Sequence, residues 1–552
     1  MKRGRKAFRK TDDHRAVPTL SRPGRLPYLP IAALLVFGFL LRTISLDSDV
    51  GGFLAWNEAN YLLIARNASF RTILFPTLGG GLLFLETPPL VPYLIALVSW
   101  GSQPSVLVGR LVSISFSLAL VLATWRLGRL LFSARAALVA AAITAVAPVA
   151  VVVGANIQTD SAYLALTVLA IELYARARQS ENESMAPFGV AIGLASLAKL
   201  FALVALPALL VWELLEGSAL KAVRDGRRWK ALVAGLAPFA AFYAFHVLRA
   251  PSNARTMILG GAAVATTFPR SVDALSALGV EAFWVFSPLV ALALGAGFFA
   301  AFLRPSPGER LLLCLTSAYG VFYLFFHKHS YYLLATLPFA AILAGRLVDG
   351  IRSSLLRRLS IGAVVASGAF VSVIDVTGMK LGFSEVRRFA DAVQALPEPV
   401  GRVVAEGVVV DNIGIVLDLY VPGLKVWRIP DAPPGHEGER VDVPPDSRWL
   451  LFVASPQDTE GLGLRLFVRE RYALELFGWS VAEAHQNPNY FRQGGYRLLR
   501  TGGFWSFGFP VLRSVPALGF GAIEPGDSLH RLRDGLEVRG AMASPPGTRA
   551  SS

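Results

Sequence analysis

Long apolar runs separated by short basic clusters constrain this chain more than any other feature. Runs long enough to span a bilayer, or nearly so, fall at about 29–46, 105–132, 136–154, 160–177, 186–199, 201–216, 230–249, 282–303, 310–326, 331–348 and 358–375. A helical span prefers roughly 20 apolar residues, so the two runs beside residue 200 are short. In lipid every backbone N–H and C=O must find its partner inside the segment, which for runs of this kind means a helix. Of the 552 residues 54% are hydrophobic and 16% charged, and the charges gather between the runs and in the last third. A soluble domain carries about a quarter charged residues. The expected fold class is mainly α: a polytopic transmembrane helical bundle of about eleven spans.

The basic residues orient that bundle. With the N-terminus in the cytoplasm, inner connections hold Arg126/Arg129/Arg135, Arg176/Arg178, Lys221/Arg224/Arg227/Arg228/Lys230, Arg304/Arg310 and Arg352/Arg357/Arg358. Outer loops hold fewer, chiefly Arg66, Arg71, Arg255, Arg270 and Lys328. The alternation obeys the positive-inside rule throughout, and an odd number of spans puts the C-terminal region outside. The expected organisation is a basic cytoplasmic segment at 1–27 and a membrane domain at 28–375 with long outer loops at 47–104 and 250–281. An extracytoplasmic α/β domain follows at 376–540, then a disordered tail at 541–552 rich in Ala, Ser, Pro and Gly. Within the α/β domain Val403–Val410 and Trp449–Val453 read as buried strands and Phe383–Leu396 as an amphipathic helix. The segment Pro89–Trp100 is too short to span and reads as interfacial.

The net charge of +15 fits positive-inside topology and anionic headgroups. No basic soluble face stands apart from the membrane flanks, so nucleic acid is not an expected partner. The single cysteine, Cys314, excludes an intramolecular disulfide and a Cys-based metal site.

Ionisable residues at membrane depth are costly and mark candidate sites. Four places stand on the expected outer side. In Trp56-Asn57-Glu58-Ala59-Asn60-Tyr61 a carboxylate, an amide and a tyrosine share one helical turn and could hold a sugar hydroxyl or act as a base. A capped interfacial helix, with Asn57 as N-cap, explains the same residues. In Asn156-Ile157-Gln158-Thr159-Asp160 a carboxylate stands at the outer start of a span, and capping by Thr159 or Asp160 is the plainer explanation. Lys199, between two apolar runs, is either functional or a snorkelling lysine. His327-Lys328-His329-Ser330-Tyr331-Tyr332 would suit a lipid phosphate, with an aromatic belt or a His327/His329 metal pair as the competing explanations. Together they set two carboxylates and several cations on one face, as needed where a base activates a hydroxyl and cations stabilise a departing phosphate. His246 reads as a packed core or interface histidine.

These motifs, in this order, resemble the dolichyl-phosphate-mannose protein mannosyltransferase superfamily, which includes the bacterial aminoarabinose transferases of lipid A and has the GT-C architecture. The matching stretches are Trp56–Asn67, then Glu86-Thr87-Pro88-Pro89-Leu90, then Gly109-Arg110-Leu111. Thr159-Asp160 follows, then Gly193-Leu194-Ala195-Ser196-Leu197-Ala198-Lys199, and last His327–Leu334 with Leu337-Pro338. The resemblance covers roughly 28–375. In two places the chain departs from the pattern. Asn57 stands where the family has the aspartate assigned as catalytic, and Thr87 where it has a lysine; an amide cannot accept a proton at neutral pH.

The resemblance implies a membrane glycosyltransferase that moves a monosaccharide from a polyprenyl-phosphate donor to an acceptor hydroxyl on the extracytoplasmic face, with inversion. Glu58, Asp160 and Asn57 are the expected catalytic residues. Lys199, Lys328, His329 and Arg270 would bind the donor phosphate, and Tyr61, Arg110 and Tyr331 the substrates. No cofactor is called for, and a divalent metal stays open. The expected partners are the lipid-linked sugar, a lipid, glycan or protein acceptor, and membrane lipids, and the expected location is the plasma membrane. A transporter would show pseudo-symmetric halves and charges toward both sides, which this chain lacks. A catalytically silent envelope scaffold is the other reading, kept open by Asn57.

Overall fold

The computed structural model describes most of residues 28–382 and short segments between 394 and 539; residues 1–27, 250–281 and 326–329 are among those outside the described set. Helices fill every apolar run. They are α1 (Leu29–Thr43), α2 (Ala55–Asn67), α3 (Leu90–Val98), α4 (Val106–Leu131), α5 (Ala134–Val146), α6 (Pro148–Ala155), α7 (Asp160–Gln179) and α8 (Ala186–Ala198). After a 3-10 turn at Leu200–Val204 come α9 (Ala205–Leu215), α10 (Ala219–Arg224), α11 (Gly226–Arg249), α12 (Pro288–Leu303) and α13 (Pro307–Phe325). A second 3-10 turn, Ser330–Thr336, leads into α14 (Leu337–Asp349) and α15 (Ser354–Gly382).

Among the described residues four helices are long and apolar enough to cross a membrane: Val106–Leu131, Gly226–Arg249, Tyr331–Asp349 and Ser354–Thr377. A fifth span results if α5 and α6, bent by 56°, count as one. The chain is a multi-pass membrane protein. Large apolar side chains stand exposed along α11 and α15, among them Val233, Leu248, Leu355 and Phe370. Exposed apolar faces of this extent are stable against lipid and not against water.

Proline makes the bend. Pro148 has no N–H to give, and the turn before it leaves carbonyls without helical partners. The buried Arg42 donates to the Ala145 and Ala150 carbonyls at 3.0 and 3.2 Å and to Ser117 Oγ at 2.8 Å. Ser372 Oγ on α15 donates to the Val146 carbonyl at 2.8 Å. The break is thus satisfied by side chains from α1 and α15, and it locks three helices together.

Helix α8 packs on α11 through small residues. A Cβ on Gly193 would fall onto the backbone of Gly235, and one on Gly189 onto that of Ala231. With no side chains between them the backbones come into contact, as in other small-xxx-small crossings. Helix α8 ends one residue before Lys199.

At the end where the sequence places its basic connections, buried carboxylates gather the arginines. Glu172 pairs with Arg126 and Arg176 at 2.9 and 2.5 Å, and Glu213 with Arg178 and Arg228 at 3.1 and 2.8 Å. In α3, Val91 and Ile95 are buried while Leu97 and Val98, and Trp100 just beyond it, are exposed, an amphipathic segment shorter than a span.

Beyond α15 the described residues are mostly strands. Five of them, in the order β2 (Lys425–Arg428), β1 (Arg402–Ala405), β3 (Ser447–Ala454), β5 (Ala517–Ala522) and β4 (Leu466–Val468), form a mixed sheet, parallel at β1 and antiparallel at β5. The helix expected at Phe383–Leu396 lies almost wholly outside the described residues. Tyr420 reaches back to the membrane domain: its hydroxyl accepts from the Val50 N–H at 2.7 Å, and Arg66 donates to the Leu419 carbonyl at 2.9 Å. Burial there pushes the Tyr420 phenol up to about 12.

Candidate active site

Four segments far apart in the chain converge at one end of the bundle: α2, the start of α7, and the two 3-10 turns that follow Lys199 and precede α14. Helix α2 begins at Ala55, with Leu54 before it, so Asn57 lies inside the first turn and is not an N-cap. Its Nδ2 donates to Gln158 Oε1 at 3.1 Å and to the Tyr331 hydroxyl at 3.4 Å. Gln158 is fully buried; its Nε2 reaches the Leu54 carbonyl at 3.5 Å, and its backbone N–H donates to Ser113 Oγ at 3.2 Å.

The neighbouring Glu58 faces the other way. One oxygen accepts from Arg110 Nε at 2.8 Å and from the Ile157 N–H at 3.1 Å; the other accepts from Arg110 Nη2 at 3.0 Å. Both side chains are at most 1% exposed. Arg110 also holds the carbonyls of Ser45, Leu46, Ser48 and Asp49. This bidentate pair ties α4 to α2 and to the loop after α1, and such planar charge-assisted contacts hold geometry well. The two residues expected at the substrate, a base and a substrate-binding arginine, are in the structure committed to each other.

Asp160 opens α7, and its carboxylate takes Lys199 Nζ at 2.8 and 3.0 Å. Neither capping nor snorkelling describes this pair. The Thr159 hydroxyl is buried with no hydrogen-bond partner among the described residues, and Lys199 is only 8% exposed. Helix α8 stops at Lys199, whose extended backbone turns the side chain inward. The ammonium lies 4.8 Å from the Phe201 ring, 4.6 Å from Tyr332, 5.7 Å from Tyr331 and 5.9 Å from Tyr163, distances at which ring faces attract a cation.

Buried polar atoms without a hydrogen-bond partner among the described residues cluster here too: both amide atoms of Asn60, Thr159 Oγ1 and Ser161 Oγ. Folded proteins keep few such groups, and each calls for a polar partner. Tyr61 is buried, its ring edge-on to Phe84 at 6.3 Å. Lys328, His329 and Arg270 lie outside the described residues. Among the described residues no three His, Cys, Asp or Glu side chains come together as a metal site. His246 is buried, 4.6 Å from the Phe242 ring and 5.3 Å from Phe245.

An apolar cavity of about 380 Å³ adjoins this region, between Pro89, Leu90 and Tyr93 of the α3 segment, Leu197 on α8, and Pro238, Ala241, Phe242 and Phe245 on α11. Gln158, the amide that links Asn57 to the backbone, was not among the residues the sequence singled out as functional. Its signal was only its position, two residues before an aspartate at a helix start.

Comparison with known proteins follows the same lines. Residues 86–245 match the family described as dolichyl-phosphate-mannose-protein mannosyltransferase. No curated protein sequence matches the chain. Among solved structures, the chain is similar to ArnT from Cupriavidus metallidurans in its apo state, with a TM-score of 0.56 and 15% identity over 80% of this chain and 96% of that one. The same ArnT bound to undecaprenyl phosphate gives a TM-score of 0.58 and 14% identity, over 81% and 97%. At these identities the likeness is one of fold. The chain has the GT-C membrane fold, and its residues 86–245 match the dolichyl-phosphate-mannose-protein mannosyltransferase family in sequence.

Proposed function

We propose that this protein is a glycosyltransferase that moves a monosaccharide from a polyprenyl-phosphate donor to an acceptor hydroxyl on the extracytoplasmic face of the plasma membrane. The observation that carries the reading is the buried Asp160–Lys199 pair, set in a cage of aromatic rings beside Asn57, Gln158 and Tyr331. Its match to the mannosyltransferase family over residues 86–245 and the GT-C fold support it.

Asp160 is the base. Asn57 cannot accept a proton, and Glu58 is tied by two Arg110 nitrogens and the Ile157 N–H, whereas the two Asp160 oxygens share the single ammonium of Lys199. In the reaction the acceptor O–H gives its proton to Asp160 while its oxygen forms a bond to the anomeric carbon. The bond from that carbon to the phosphate oxygen breaks on the opposite face, its electron pair leaving with the phosphate, so the centre inverts. Lys199, with Lys328, His329 and Arg270, stabilises the charge growing on the departing oxygen, which lowers the transition state more than the ground state. Tyr61 and Tyr331 flank the sugar. Glu58 and Arg110 act as positioning residues for α2 and not as groups that touch substrate. The apolar cavity beside Leu197 takes the near end of the polyprenyl chain.

Around this site the reading has about eleven spans with the N-terminus in the cytoplasm, and an extracytoplasmic α/β domain at 376–540. The contacts of Leu419 and Tyr420 with the segment carrying α2 support a location of that domain on the same face as the site.

The test is sugar transfer by purified full-length protein from a synthetic polyprenyl-phosphate sugar, comparing wild type with Asp160→Asn and Lys199→Met. Loss of the base is expected to lower kcat by about 10²–10⁴-fold, and loss of the lysine to raise KM for the donor. Undiminished transfer by both variants sinks the proposed site. Asn57 favours a second reading, a silent scaffold, and donor-dependent product from wild type refutes it.

A further inference from the structure

Resting on the glycosyl-transfer reading, we infer that Leu419 and Tyr420 form a clasp that positions α2 for the reaction, so that the chain beyond α15 is a working part of the catalytic unit. The clasp holds α2 at both ends. In its last turn, Arg66 donates through Nη1 to the Leu419 carbonyl at 2.9 Å and through Nε to the Pro104 carbonyl at 3.1 Å. Ahead of its first turn, the Val50 N–H donates to the Tyr420 hydroxyl at 2.7 Å. The two anchors are consecutive residues, yet the points they hold bracket a helix of 13 residues, about 20 Å long. The anchors are themselves held. The Tyr420 carbonyl accepts from Gln394 Nε2 at 2.7 Å, and Leu419 is buried in the core.

From the clasp, short steps lead to the candidate site. Val50 is fully buried and ends the loop after α1, whose Ser45, Leu46, Ser48 and Asp49 carbonyls all accept from Arg110. The same guanidinium grips Glu58 in the first turn of α2, and Glu58 accepts the Ile157 N–H just before Asp160. Beside Glu58, Asn57 meets Gln158 and Tyr331. The Tyr420 phenol lies close enough to feel the charges of Asp49, Glu58 and Arg110. Without that phenol the buried Val50 N–H loses its acceptor, and the loop relieves the loss only by moving. Movement of the loop carries Arg110, and with it the alignment of α2 against the turn that bears the base. Small misalignments of this kind lower a rate without weakening the folded core. Tyr420 acts through the loop and Arg110, so it is a positioning residue.

The experiment compares full-length wild type with Tyr420→Phe, Arg66→Met, the double variant and Arg66→Lys in mild detergent. A polyprenyl-phosphate sugar is the donor, envelope extract supplies the acceptor, and release of polyprenyl phosphate is expressed per folded molecule. Hydrogen exchange is followed at residues 45–67 and 156–160. Each single release is expected to lower kcat about threefold and the double variant about tenfold or more, with KM for the donor changed by less than about twofold. Arg66→Lys, which still donates to one carbonyl, is expected to keep more of the rate than Arg66→Met. In Tyr420→Phe, exchange is expected to quicken at Ile157 and Gln158 as well as at Val50. If the double variant does not fold, the single variants decide. A clasp that only stabilises would lower the folded fraction and leave kcat per folded molecule unchanged, and that result overturns the inference. Faster exchange confined to the neighbours of Val50 overturns it too, and both results leave glycosyl transfer standing. Wild-type protein that releases no polyprenyl phosphate refutes glycosyl transfer itself, and the catalytic role of the clasp falls with it.

Discussion

The Glu58–Arg110 pair separates a structural from a catalytic carboxylate by stability and turnover together. Both side chains are at most 1% exposed, and removing one partner of a buried pair costs about 3–5 kcal/mol. Glu58→Gln keeps the side-chain shape and an oxygen for the Ile157 N–H, and Arg110 keeps its loop carbonyls. Its cost therefore falls at the low end, about 3 kcal/mol. Arg110→Met removes those carbonyl contacts as well and leaves a buried carboxylate with one N–H, so about 5 kcal/mol is expected. The double variant is expected to lose less than the sum of the two by about 2 kcal/mol, because the second change removes a group already stranded by the first. Unfolding is followed for the full chain in mild detergent, and turnover is expressed per folded molecule. A positioning role predicts that folded Glu58→Gln keeps turnover within a few-fold of wild type. A Glu58→Gln protein as stable as wild type whose turnover falls about 10²-fold or more would refute this reasoning and return the base to Glu58.

Other consequences follow from the packing. Gly193→Ala is expected to cost about 1–3 kcal/mol, because its Cβ meets the Gly235 backbone, whereas Gly295→Ala, with open space around it, is expected to be neutral; thermal unfolding distinguishes them. Arg42→Met strands the Ala145 carbonyl at the α5–α6 bend, while Ala150 keeps Ser117 Oγ, and is expected to destabilise by about 1–3 kcal/mol, read in the same unfolding assay. Tyr420→Phe removes the acceptor for the Val50 N–H, and faster hydrogen exchange around residue 50 is the expected signature, with about 1 kcal/mol lost.

Much of the fold was legible because lipid imposes a simple rule on sequence. An apolar run of sufficient length must become a helix, and helices do occupy all the runs marked out at the start. The weak runs beside residue 200 were weak for a reason: Lys199 ends α8 and a 3-10 turn follows before α9. The bend at Pro148 was less visible, because the run from 136 to 154 is apolar throughout and hydropathy is blind to backbone satisfaction. The carbonyls it releases are satisfied by Arg42 and Ser372, more than 100 and 200 residues away in the chain.

At the candidate site, residue types were legible and partnerships were not. Costly charges could be found one by one, since each violates the composition around it. Which carboxylate is spent on structure depends on what lies opposite it. Glu58 and Asp160 looked alike as outer acidic residues, yet one is gripped by Arg110 and the other by Lys199. Gln158 had no charge to draw attention, and its link to Asn57 belongs to a hydrogen-bond chain that starts at a backbone carbonyl.

The sequence by itself therefore determined the solvent this protein lives in, its helical spans, and the set of polar residues available for chemistry. Those follow from local composition and transfer free energy, which need no knowledge of neighbours. Only the tertiary structure decided how those polar residues are shared: Arg110 with Glu58, Lys199 with Asp160, and Gln158 with Asn57. Pairing is a matter of distances and directions between segments far apart in the chain, and helix packing at contacts such as Gly193 on Gly235 sets those.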